Sequence, residues 1–165
     1  MPGVSDSSPL IYLSSLLDLD LLRRIIGGVF IPRAVYREVV VDGHGQPGAE
    51  EVEQALGNWI GVVDAKDTSE VTRIMEMAGL QAGESEAIVL AEQLRVGAIL
   101  LDDQQAVLEA RSRGLTVLRT PAVYLAAKRA GLITGVKPKL DALRAFGFHL
   151  RDDHYRLVLQ RAGEL

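Results

Sequence analysis

Short apolar runs at 29–31, 60–63, 98–101 and 115–118 recur along the chain between longer stretches whose apolar residues follow helical spacing. Leu10, Ile11, Leu13, Leu16 and Leu17 predict a short amphipathic helix. A second helix starts at Asp18 or Asp20, runs through Leu21, Leu22, Ile25 and Ile26, and stops at Gly27-Gly28. Pro32 opens a third, with Ala34, Val35 and Val39 inward and Glu38 in its middle. Asp42 to Gly48 is polar and rich in Gly and Pro, which predicts a loop and the most mobile segment. Further helices are expected at 49–58, 69–78, 84–94, 104–113, 121–130, 139–146 and 153–161. A short run at the start of the chain ends in Asp6. Ser8 is placed to cap the helix that follows, and Pro9 suits its first position.

Strands that alternate with helices predict right-handed crossovers and a parallel sheet covered on both faces. The continuous apolar run 98–101 suits a central strand of such a sheet. The expected fold is therefore α/β, a three-layer α/β/α sandwich. With 165 residues and no repeat or linker, one domain spanning 1–165 is expected.

The composition narrows the chemistry. The chain has no cysteine, which excludes disulfides and thiolate metal sites and fits a reducing cytosol. No apolar run is long enough to span a bilayer, and no basic-then-apolar leader opens the chain, so a cytoplasmic protein is expected. A net charge of -4 argues against simple electrostatic binding of nucleic acid. A cluster of acids that binds cations would lower that charge without repelling phosphate.

Such a cluster is in reach. Asp6 and the Asp102-Asp103 pair both follow apolar strands at their carboxyl ends, which a parallel sheet gathers along one edge. Neighbouring carboxylates repel, so a protein that gathers them usually neutralises them with a cation. With oxygen ligands only, that cation is Mg²⁺ or Mn²⁺. Glu84 leads a helix and lies along its stripe of Ala87, Ile88 and Ala91. Glu86 shares its row with Val89, Leu90 and Gln93, so Glu84 is the first candidate and Glu86 the second. The structural alternatives stay open: Asp6 as a helix cap, the two glutamates as favourable charges at a helix N-terminus, and Glu38 on a solvent face.

Four stretches carry a resemblance: Val-Ser-Asp6-Ser-Ser-Pro-Leu-Ile, Ile-Pro-Arg-Ala-Val-Tyr-Arg-Glu38-Val, Gly-Glu84-Ser-Glu86-Ala-Ile-Val-Leu-Ala and Leu-Leu-Asp102-Asp103. Together they resemble the PIN-domain family, and more closely a prokaryotic branch of predicted nucleic-acid-binding, VapC-toxin-like proteins. The resemblance covers most of the chain and implies a PIN-like sandwich carrying a Mg²⁺- or Mn²⁺-dependent ribonuclease, often the toxin of a toxin–antitoxin pair. It implies RNA, an antitoxin protein and a second copy of the chain as partners, and no membrane. The family's acids map onto Asp6, Glu38, Glu84 (or Glu86) and Asp103, with Asp102 beside the last. Its third acid is usually Asp, so Glu here lengthens the ligand arm. Ser7, Ser8 and Thr120 are the candidate contacts to nucleic acid; Ser7 and Ser8 serve equally as helix caps.

Other features weigh less. His44, His149 and His154 have no ligand spacing. Asp152-Asp153 reads as a helix cap and Trp59 as core. Arg111, Arg113, Arg119, Lys128 and Arg129 form either a basic rim or a solvated helix face. The rival functions are an inactive nucleic-acid- or protein-binding module on the same fold, and a phosphotransfer domain with Asp6 as nucleophile. The second requires an acid two residues after Asp6, where Ser8 stands, and a late lysine, where Thr120 stands.

Overall fold

The computed structural model describes residues 2–165. In chain order they form β1 (Gly3–Ser5), α1 (Ser7–Ser15), α2 (Leu19–Ile26), β2 (Val29–Ile31), α3 (Arg33–Tyr36), α4 (Ala49–Ala55), β3 (Ile60–Val62), α5 (Thr68–Ala78), α6 (Ala82–Leu94), β4 (Ala98–Leu100), α7 (Gln104–Ser112), β5 (Val117–Leu118), α8 (Thr120–Arg129), α9 (Lys137–Ala145) and α10 (Asp152–Arg161). All strand pairs are parallel, in the order β3-β2-β1-β4-β5. The chain fills one half of the sheet outward from β1, then returns to β4 and fills the other half. The reversal falls between β1 and β4, where open α/β sheets leave a crevice at the strands' carboxyl ends.

Period-two alternation sorts the strand residues between two cores. Val29, Ile31 and Leu100 face a core built with α1, α2, α4 and α8 to α10. Val4, Ile99 and Leu101 face the opposite core, closed by α5, α6 and α7. This is the three-layer sandwich that the pattern predicts.

Several boundaries differ from expectation. α1 starts at Ser7, so Ser8 lies inside it and caps nothing; its hydroxyl donates instead to Asp102, 3.3 Å away. α3 widens after one turn into a π-helical stretch, Arg37–Val41, where a regular helix is expected. π-segments of this kind recur at functional sites. Gly43 follows after Asp42; a Cβ there would lie 2.4 Å from the Val39 carbonyl oxygen, so only glycine closes the turn. α6 starts two residues before Glu84, which makes Glu84 part of its N-terminal capping box rather than its first residue. Asp18 does not cap α2 with its side chain; its carboxylate accepts from Tyr124 and Lys139, both at 2.8 Å, and ties α8 and α9 to α2. Asp152 and Asp153 lie in the first turn of α10 and Arg151 takes the cap position. Trp59 is half-buried at the edge of the first core.

Candidate active site

Asp6 stands one residue beyond β1, at the reversal of strand order, with its amide donating to the Leu100 carbonyl at 3.1 Å. It is buried, and its side chain makes no capping hydrogen bond to α1. Burial pushes its carboxyl up to about 7; the Ser7 backbone amide opposes the shift, and Glu84, Glu38 and Asp102 add to it. A carboxylate with no cap to make and negative neighbours is poor helix chemistry and good site chemistry.

The flanking elements bring the other acids in. The π-helical stretch presents Glu38, whose Oε2 accepts from the Ser7 hydroxyl at 2.9 Å. α6 approaches so closely that a Cβ on Gly83 would lie 3.2 Å from Asp6 Oδ1 and 3.5 Å from Glu38 Oε2. Glycine there keeps the space between the two acids open, and it places Glu84 next along the chain. Glu84 is half-buried; burial raises its carboxyl, and Asp103 and Glu38 raise it further. Its side chain also accepts from the Gln81 amide at 3.4 Å.

Asp102 and Asp103 divide two tasks. Asp102 Oδ1 accepts from the Thr120 amide at 2.8 Å, and Oδ2 accepts from the Thr120 hydroxyl at 2.6 Å and from Ser8. Burial raises its carboxyl while the Thr120 contacts oppose the shift. Asp103 is exposed and caps α7, accepting from the Ala106 amide at 3.0 Å. Thr120 is fully buried, which leaves it no surface for a nucleic acid; it supports Asp102 instead. Glu86 reaches away to α3, where it accepts from the Ala34 amide at 3.3 Å.

Asp6, Glu38 and Glu84, with Ser7 and Ser8, line one cleft of about 480 Å³. No lysine or arginine lines it. Of the two readings of the basic residues, the rim is not seen at the cleft, whose lining holds none of Arg111, Arg113, Arg119, Lys128 and Arg129; Arg113 is held by three glutamates, Lys128 by Glu164, and Arg119 donates to the Asp102 carbonyl at 2.7 Å. An apolar part of the lining comes from Ile11, Tyr12, Pro47 and Phe146. Sequence reasoning missed that apolar part and Gly83; the glycine directly before Glu84 was the one local signal of a close approach.

The donor set suits a hard divalent cation in kind, since it holds carboxylate and hydroxyl oxygens and no sulfur. Among the described residues, however, no three His, Asp or Glu side chains converge tightly enough to hold an ion as they stand. Glu38, Glu84, Asp102 and Asp103 are each engaged by a hydroxyl or amide, so Glu38 and Glu84 would have to turn toward Asp6.

The DUF3368 family, a PIN domain, matches residues 2–164. The chain belongs to the PIN-domain family. PIN domains are generally nucleases of the hydrolase class and typically depend on divalent metals. No curated protein matches the chain. Among its described residues, no helix of this PIN domain is long and apolar enough to cross a membrane.

Proposed function

We propose that this PIN domain is a Mg²⁺- or Mn²⁺-dependent endoribonuclease. The observation that carries the reading is Asp6: a buried carboxyl at the strand-order reversal, raised by burial and by three acids, facing a cleft with no basic residue. Acids held together against their own repulsion are what a cation site requires before it fills. Asp6, Glu38 and Glu84 would hold the ion, with Asp103 adding negative charge behind Glu84. A divalent ion held there supplies a water of lowered pKa and positive charge beside the phosphodiester. The remaining work falls to the protein. Ser7 orients Glu38; Thr120 and Ser8 fix Asp102 behind Asp6; Gly83 leaves room for the phosphate group. None of these residues needs to form a covalent bond to the substrate.

The VapC-like resemblance extends the reading to a cytoplasmic toxin that cuts RNA, with an antitoxin protein and a second copy of the chain as partners. A second reading is favoured by the engagement of the outer acids with amides and hydroxyls: a PIN module that binds nucleic acid or protein without cutting. One experiment separates the two. Mn²⁺ is titrated against the protein with a fluorescent single-stranded RNA, and the melting temperature is followed in parallel. Cleavage that appears with Mn²⁺, disappears in EDTA, and is lost together with the thermal shift in Asp6→Asn supports the nuclease. A wild type that neither cuts nor shifts overturns it.

A further inference from the structure

Phe146 is 56% exposed, and of the large exposed apolar side chains among the described residues it is the one that lines the acidic cleft. Its position is built rather than loose. Phe146 caps the C-terminus of α9, its amide donating to the Ala142 carbonyl at 3.0 Å. Gly147 then turns the chain at a φ of +96°, a conformation suited to glycine. Phe148, on the far side of the turn, is buried and packs edge-on against Tyr12, with ring centroids 5.0 Å apart and planes at 81°. The turn thus sends one phenylalanine into the core and holds the other at the cleft. The buried one fixes Tyr12, which lines the same cleft.

We propose that Phe146, with Tyr12, Ile11 and Pro47, forms a platform on which one unpaired base of the substrate stacks. The inference rests on the nuclease reading, because the occupant follows from the chemistry of the acids that line the same cleft. A phosphodiester drawn to a cation that Asp6, Glu38 and Glu84 would hold carries its own bases into the cleft, and a base offers an aromatic face that Phe146 and Tyr12 can match. A cleft of about 480 Å³ is of the size that takes a single small-molecule-sized group. A base inside a duplex has no free face, so the platform selects single-stranded nucleic acid. Because every base has such a face, the platform imposes little sequence preference.

The test is binding in Ca²⁺ in place of Mn²⁺, an oxygen-liganded ion that neutralises the acids, of a labelled single-stranded RNA and of an abasic strand of the same length, scored on strands that remain intact. Phe146→Ala and Phe146→Leu should each weaken RNA binding by about five- to a hundredfold, the range that loss of one stacked base gives. Phe146→Trp should bind as wild type does, and wild type should hold the abasic strand as weakly as Phe146→Ala holds RNA. Unchanged melting temperatures show that the variants remain folded. Full binding by Phe146→Ala overturns the proposal. So does full binding by Phe146→Leu, which marks a plain apolar wall of the kind a protein partner covers. The two readings fail separately. Metal-dependent cleavage by wild type with Phe146→Ala unaltered removes the platform alone. Aromatic-dependent binding with no cleavage in any divalent ion removes the nuclease alone.

Discussion

Around Arg113, glutamates from three helices meet one guanidinium: Glu70 of α5 at 2.7 Å, Glu92 of α6 at 2.8 Å and Glu109 of α7 at 2.9 Å. In the cleft, Asp6, Glu38 and Glu84 share one lining with no lysine or arginine in it. The electrostatic response differs accordingly. The Arg113 hydrogen bond holds the Glu70 carboxyl below its ordinary value, whereas burial and like charge lift Asp6 and Glu84 above theirs. The first group ties helices together and is complete. The second keeps the fold under electrostatic strain, and strain of this kind is tolerated where function requires it.

The largest test of that contrast is Asp6→Asn. It should reduce metal-dependent cleavage by roughly a hundredfold or more, because the buried ligand of the site is lost. The same change removes a buried charge that has no cation beside it. In EDTA at pH 8 the variant should therefore be more stable than wild type, by roughly 1–3 kcal/mol. Chemical denaturation in EDTA beside a cleavage assay in Mn²⁺ checks both halves. A variant less stable than wild type would mean that Asp6 holds the fold together.

Arg113→Met is the converse. It leaves three glutamates facing one another and should destabilise the protein by about 2 kcal/mol, since the hub is partly solvated. For a chain of this size that lowers the melting temperature by roughly 4–8 °C. Cleavage assayed below the melting transition should be unchanged. Differential scanning calorimetry reads the first outcome; a loss of cleavage in the folded variant would couple the hub to the site.

The pH dependence separates the two kinds of acid without a change to the site's shape. Asp6 has a folded-state value of about 7 against an ordinary 3.8. Folded protein therefore holds a proton that unfolded chain releases between those values, and its contribution to stability falls as pH rises from about 4 through 7. Glu164 has the opposite sign. Its carboxylate accepts from Lys128 and from the Val136 and Lys137 amides, which lower it from 4.5 to about 2 despite opposing burial. Its contribution is fully present above about 4.5 and is lost as pH falls through 2. Denaturation of metal-free protein across pH should show Asp6→Asn flattening the upper window and Glu164→Gln the lower one. If Asp6→Asn leaves the slope between pH 4 and 7 intact, the strain lies elsewhere.

The comparison also marks what the amino-acid pattern could reveal. The strands are legible because each is a short apolar run between helical patterns, and the carboxyl-end rule brings Asp6 and the Asp102-Asp103 pair to one edge of the sheet. The phase argument for Glu84 over Glu86 agrees with their placement: Glu84 lines the cleft while Glu86 bonds to α3. What stayed hidden depends on contacts made across the sheet. No local signal says that Ser8 and Thr120 converge on Asp102, that α3 widens into a π-turn at Glu38, or that Phe146 points away from the core while Phe148 points into it. The Arg113 hub was hidden for the same reason, since its partners lie 43, 21 and 4 residues away.

Among the acids that bear on the site, the smallest expected change in stability belongs to Asp103→Asn, and it bears on the edge of the comparison. Asp103 is both a cap, through the Ala106 amide, and a charge that raises Glu84. Asparagine caps about as well as aspartate, so the structural half of its role survives the substitution. Only the charge goes, and with it part of the repulsion on Glu84. The metal-free variant should melt within about one to two degrees of wild type, on the stable side, as expected for a change of about 0.5 kcal/mol or less. Cleavage should still fall, by about tenfold, because the site attracts its cation through summed negative charge and Asp103 supplies part of it. Raising the Mn²⁺ concentration should recover most of that loss, since the defect is in affinity and not in the reacting groups. Glu86→Gln is the control: it keeps an acceptor for the Ala34 amide and should change neither melting nor cleavage. If Asp103→Asn melts several degrees lower and cuts as wild type does, Asp103 is a cap alone, and the negative field of the cleft ends at Glu84.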